Sequence, residues 1–78
     1  MKSDYERLIE LVYEEDKPST PEKIKELNVL LSQQSIHSIK KEHLSQIDNL
    51  ITMLCMTGNL FEEYYEPIIA LQDAIRSK

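Results

Sequence analysis

Apolar residues recur along the chain at the spacing of one helix face, with short polar interruptions between the runs. The first run occupies positions i, i+3, i+4 and i+7, as in an amphipathic helix. Its members are Tyr5, Leu8, Ile9 and Val12. Ser3 followed by Glu6 matches a capping box at a helix start. The residue before a proline is disfavoured in a helix, so Pro18 and the pattern together predict a first helix over residues 4–15.

Two further runs predict a second and a third helix. A hydroxyl at Ser19 or Thr20, followed by Pro21, is typical of a helix start and predicts a second helix over 21–34. The next stripe keeps a period of 3.6 residues and predicts the longest helix, over 36–57. Its members are Ile36, Ile39, His43, Ile47, Leu50 and Leu54. Gly58 then stands where a left-handed helix cap is expected.

The last run predicts a fourth helix over 60–76. Asn59 with Glu62 repeats the capping pattern, and the apolar face continues through Pro67, where we expect a kink. The chain has one Gly and three Pro, which leaves few residues for hairpin turns. We therefore expect an all-α fold: a single helical domain over 1–78 that forms a small antiparallel bundle of three to four helices.

The segment 49–61, NLITMLCMTGNLF, contains no charged residue. It is shorter than the roughly 20 residues that a membrane-spanning helix needs, so we expect part of the helical core instead. A helix that is apolar on all sides must be covered on all sides, by its neighbours, a second copy or a partner protein. We expect Cys55 to be a small buried residue, and Met53 and Met56 to fill the core or a dimer seam, or to contact a partner.

Composition and charge narrow the classes of function. The net charge is −5 without a clustered basic face, which argues against general binding of nucleic acid. One cysteine, and an N-terminus without the apolar core of a secretory signal, predict a cytoplasmic protein. His43 and Cys55 are twelve residues apart on the predicted third helix, about 18 Å, too far to share a ligand or a proton. We therefore expect no enzymatic activity, no metal and no cofactor.

Acidic residues form two groups, each with tyrosines beside it. Carboxylates and aromatic side chains together can dock a basic partner protein, although acidic rows also serve as solvated faces. With the two methionines, the candidate partner-binding residues are Glu6, Glu10, Tyr13, Glu14, Met53, Met56, Glu62, Glu63, Tyr64 and Tyr65. We expect a small acidic regulator, inhibitor or adaptor that acts by protein-protein binding, alone or as a homodimer. The alternative is a purely structural subunit.

One stretch indicates an alternative function in DNA binding. LSQQSIHSIKKE, residues 31–42, resembles the recognition helix of helix-turn-helix regulators, which enters the major groove. The resemblance implies base or phosphate contacts by Gln33, Gln34, His37, Lys40 and Lys41. It requires these side chains to be exposed together on one helix.

A second alternative comes from the C-terminal half of the chain. Residues 44–75, with NLITMLCMTGNLFEEYYEPIIALQDAI, resemble the third and fourth helices of the immunity proteins that protect producers of pediocin-like bacteriocins. The resemblance implies a four-helix bundle that acts by recognising a protein.

Overall fold

Four α-helices make up most of the described part of the chain. The computed structural model describes residues 3–14 and 20–77. The helices are α1 (Asp4–Val12), α2 (Pro21–Ser32), α3 (Leu44–Met56) and α4 (Glu62–Arg76), and two 3-10 turns, Ile36–Ser38 and Lys41–His43, lie between α2 and α3. Ion pairs of Arg7 with Glu26 and of Lys23 with Glu14 show that α1 and α2 run antiparallel. The expected all-α bundle is confirmed.

Local signals start the first two helices as expected. The Ser3 hydroxyl accepts a hydrogen bond from the Glu6 amide at 3.2 Å, and the Thr20 hydroxyl accepts one from the Lys23 amide at 3.3 Å. Each bond satisfies an amide that has no partner within its own helix. Helix α1 ends at Val12, earlier than expected, and the predicted stop at Lys17-Pro18 lies outside the described residues.

The third helix begins at Leu44, so its predicted start at residue 36 is wrong. Ser35 and Ser38 form a capping box around the first 3-10 turn, and Ile39 and Lys40 then adopt extended backbone conformations. Short hydroxyl side chains offer the backbone local partners that compete with a continuous helix. Ile39 nevertheless remains in the core, with 7% of its surface exposed, so the apolar stripe is buried without a continuous helix.

The connection between α3 and α4 is a Schellman turn around Gly58. Gly58 has a φ of 72°, and its amide donates to the carbonyl of Cys55 while the amide of Asn59 donates to that of Leu54. This left-handed conformation favours glycine, as expected from the sequence. The predicted cap at Asn59 is wrong: Phe61 is the N-cap of α4, without a side-chain hydrogen bond, and α4 continues through Pro67 as one helix.

The core is aliphatic and draws residues from all four helices and from the 36–43 segment. It consists of Leu8, Leu11, Leu27, Leu30, Leu31, Ile39, Ile47, Leu50, Ile51, Leu54, Ile68, Leu71 and Ile75. The prediction that the uncharged segment 49–61 belongs to the core is only partly right, and the predicted burial of Cys55 is wrong. Cys55 is exposed and 82% of Met56 is exposed, because both lie in the last turn of α3 on the side away from the core. No described helix has the length and hydrophobicity to cross a membrane.

Two buried polar side chains fix the helices to one another. Asn28, on α2, donates to the carbonyls of Ile24 and Asn59 at 2.8 and 3.0 Å, and its oxygen accepts from the Phe61 amide at 2.9 Å. Gln72, on α4, donates to the Asp48 carboxylate at 2.8 Å. Asn28 thereby holds the α3–α4 connection against α2, and Gln72 holds α4 against α3.

Candidate partner-binding site

An open groove lies between α1 and the 40–43 turn. It encloses about 350 Å³ and its walls are mainly apolar. Tyr5, Ile9 and Tyr13 form one wall, because residues four apart lie on one side of a helix. The other lining residues are Glu6, Glu10, Lys40 and His43.

Tyr5 connects the two walls through its hydroxyl. The Lys40 amide donates to the Tyr5 oxygen at 3.0 Å, and that oxygen lies 2.5 Å from His43 Nδ1. Because the oxygen accepts from the amide, its own proton is available to Nδ1, which accepts when the imidazole proton is on Nε2. His43 is thus a histidine at the core edge bonded to a neighbour, as the sequence indicates, but it ends a 3-10 turn instead of lying within a long helix.

Aromatic contacts complete the floor of the groove. The His43 ring centroid is 5.8 Å from that of Tyr5 and 5.8 Å from that of Tyr13, which meets it edge to face. Only 16% of the His43 side chain is exposed, whereas 52% of Tyr13 is exposed. A partner side chain could therefore contact Tyr13 directly without displacing the histidine.

Three glutamates in α1 and just after it, predicted as one acidic group, have different surroundings. Glu14 is half-buried and pairs with Lys23 Nζ at 2.6 Å, and it does not line the groove. Glu10 lies at the rim and pairs with Arg7 at 3.5 Å. Glu6 is exposed at the rim. Of the predicted residues on α1, the structure brings together Glu6, Glu10 and Tyr13.

Arg7 holds α1 to α2 beside this rim. Its guanidinium donates to both carboxylate oxygens of Glu26, at 2.8 and 3.0 Å. This hydrogen bonding lowers the pKa of Glu26 and raises that of Arg7. The guanidinium is therefore shared between Glu26 and Glu10.

The other predicted residues lie apart from the groove. Glu62, Glu63 and Tyr65 line a separate depression of about 550 Å³ at the start of α4. Tyr64 instead packs half-buried against the core, and so does Met53. Three candidate residues thus line the groove and three line the separate depression, while Glu14, Met53, Met56 and Tyr64 line neither.

The five residues of the DNA-binding interpretation do not lie on one helix. Gln33 is the C-cap of α2, His37 is in the first 3-10 turn, Lys40 is extended and Lys41 starts the second 3-10 turn. Gln34 lies between α2 and the first turn. The recognition helix that this interpretation requires is absent from residues 31–42, so its structural premise is wrong.

Part of the site was not predicted from the sequence. The sequence places Tyr5 and Ile9 in the first apolar run, but it does not join them with Lys40 and His43 into one surface. Lys40 and His43 are more than thirty residues from Tyr5 and reach it only through the fold. The spacing of Tyr5, Ile9 and Tyr13 was the available signal, because it gives α1 a second apolar edge beside its buried Leu8 and Leu11.

Comparison with known proteins adds no family to this description. No protein-family model matches the chain, and neither does any curated protein or solved structure. The four helices implied by the resemblance to bacteriocin immunity proteins are present, while the function of that family stays a prediction. Function must therefore be inferred from the surface itself.

Proposed function

We propose that this chain is a small non-enzymatic regulator or adaptor that binds a partner protein through the groove beside α1. The observation that carries the proposal is a mainly apolar groove with an exposed tyrosine and a carboxylate rim. Tyrosine is enriched among the residues that dominate binding energy, and such residues lie in pockets surrounded by a polar rim.

Charge favours a basic partner. The groove is lined by two carboxylates, Glu6 and Glu10, against one cation, Lys40, and the whole chain carries a net charge of −5. Complementary charge raises the rate of association and orients the partner more than it raises affinity. The apolar groove would then supply most of the affinity, at the centre of a larger interface of roughly 800 Å² on each side.

The proposal is tested by selecting a partner fragment and measuring how tightly it binds variants of the groove. Fragments of the proteome of the producing cell are displayed, selected on the chain, purified, and titrated against wild type and two tyrosine variants. Tyr13→Ala should weaken binding at least tenfold, which corresponds to about 1.4 kcal/mol. Tyr65→Ala is the matched control, because Tyr65 is exposed to almost the same degree, 49%, outside the groove.

Two results would contradict the proposal. The groove is not the working surface if Tyr65→Ala abolishes binding and Tyr13→Ala leaves it intact. A self-association that Tyr13→Ala dissolves, seen by light scattering over a concentration series, would make the occupant a second copy instead of a separate protein.

A further inference from the structure

We propose that the groove beside α1 takes an amphipathic basic α-helix of the partner protein. This inference rests on the proposed function and specifies the occupant of the same site. The apolar wall runs from Tyr5 through Ile9 to Tyr13, eight residues or about 12 Å along the helix axis. Two turns of a partner helix cover the same length and present apolar side chains at matching intervals.

The chemistry of the walls favours a helix over an extended segment. A bound strand needs partners for its backbone amides and carbonyls, because such groups are costly to bury unpaired. The groove offers few, since the backbone of α1 is used within the helix and the Lys40 amide already donates to Tyr5. A partner helix satisfies its own backbone and needs only apolar contact with Ile9 and Tyr13.

The rim sets the charge and orientation of the partner. Glu6 and Glu10 are one turn apart, about 6 Å, which matches two basic residues at i and i+4 of a helix lying along α1. Arg7 contacts Glu10 at 3.5 Å, so a partner cation would share that carboxylate. Lys40 lines the groove as well, and it favours an acidic or neutral residue on the other edge of the partner helix.

A second copy of the chain does not have the required chemistry. Two copies with a net charge of −5 each repel one another. Helix α2 carries two lysines in its first half, but its apolar face packs against the core through Leu27, Leu30 and Leu31. The charge and the buried face of α2 therefore favour a different protein as the occupant.

A display library of amphipathic helices tests the proposal. Each peptide has the same stripe of Leu and Ile, and the two edge positions at i and i+4 vary among Lys, Glu and Ser. Selection on the wild-type chain should enrich Lys at both positions, and the Lys peptide should bind at least tenfold more tightly than the Glu peptide, with an advantage that falls as salt is added. The bound peptide should be helical by NMR.

Variants of the rim distinguish the effect of the groove carboxylates from the effect of the net charge of the chain. In a Glu6→Lys, Glu10→Lys protein the preference should reverse toward the Glu peptide. The matched control is Glu22→Lys with Asp73→Lys, which makes the same change of net charge at two exposed positions outside the groove. That control should keep the preference for Lys, and circular dichroism should show both variants folded.

The possible failures identify which proposal is wrong. The basic-helix proposal would be overturned by any of three results: selected peptides show no preference for Lys, no library member binds, or the control variant loses the Lys preference as fully as the rim variant does. A natural partner segment that is extended or acidic, yet still depends on Tyr13, would overturn it and leave the proposed function in place. A natural partner that ignores Tyr13→Ala would overturn both.

Discussion

The buried amide of Asn28 should be one of the largest single contributions to the stability of this fold. Asn28→Ala removes the partner of two backbone groups in the α3–α4 connection, the carbonyl of Asn59 and the amide of Phe61. The carbonyl of Ile24 keeps its helical partner, the backbone amide of residue 28. The variant therefore leaves two part-buried polar groups unsatisfied, each costing about 1–3 kcal/mol.

The expected loss is a large fraction of the total stability. Two unsatisfied groups sum to about 2–6 kcal/mol. A chain of 78 residues has a free energy of unfolding of about 4–12 kcal/mol, at roughly 0.05–0.15 kcal/mol per residue. We therefore expect Asn28→Ala to lower the urea midpoint strongly, with little change in the dependence of stability on urea.

Urea unfolding followed by helical circular dichroism measures this loss. Asn49→Ala is the matched control, because Asn49 is exposed on α3 and its truncation should change stability by at most about 0.5 kcal/mol. Hydrogen exchange gives a local check: the Phe61 amide should exchange faster in Asn28→Ala. A loss below about 1 kcal/mol, with the Phe61 amide still protected, would refute the assignment of Asn28 as the anchor of this connection.

Three smaller perturbations test other parts of the structure. Tyr5→Phe removes two hydrogen bonds to the 40–43 turn and should cost about 1–2 kcal/mol in urea unfolding, and an unchanged midpoint would contradict the bridge. Arg7 lowers the pKa of Glu26, so the ionised carboxylate stabilises the folded state above its ordinary pKa of 4.5. This stabilisation is lost as the pH falls below 4.5. The stability difference between wild type and Glu26→Gln should therefore shrink from about pH 6 to pH 3, and a constant difference would contradict this. Met56→Glu should leave the melting temperature of a dilute sample unchanged, because Met56 is 82% exposed; a clear fall would mean that this end of α3 is covered.

The helical class and the starts of α1 and α2 follow from local chemistry. A capping hydroxyl at Ser19 or Thr20 before Pro21, and the left-handed Gly58, follow from the sequence because each acts within four residues of its own position; the structure places the cap at Thr20. The start of α3 was missed because periodicity reports which side of the chain is buried, not which turn the backbone makes. Ile39 faces the core from an extended backbone, as it would from a helix.

Only the wall of the groove that α1 forms could be predicted from the sequence. Glu6, Glu10 and Tyr13 share α1 and could be grouped by their spacing. The opposite wall depends on where the fold places Lys40 and His43, which no local pattern specifies. Asn28 could have been noticed as a polar residue within the apolar stripe of α2, but its partners near Gly58 are set by tertiary structure.

A tyrosine side chain bridges the two walls of the groove. Where α1 meets its neighbours through Leu8 and Leu11, aliphatic side chains fill the space between the elements. Beside the 40–43 turn, the Tyr5 hydroxyl instead reaches the backbone of Lys40 and the ring of His43, so the length of the tyrosine side chain spans the gap between the two walls. The side chains of Ile9 and Tyr13 beyond this bridge are left without an apolar neighbour on the open side, in a form that a partner helix can cover.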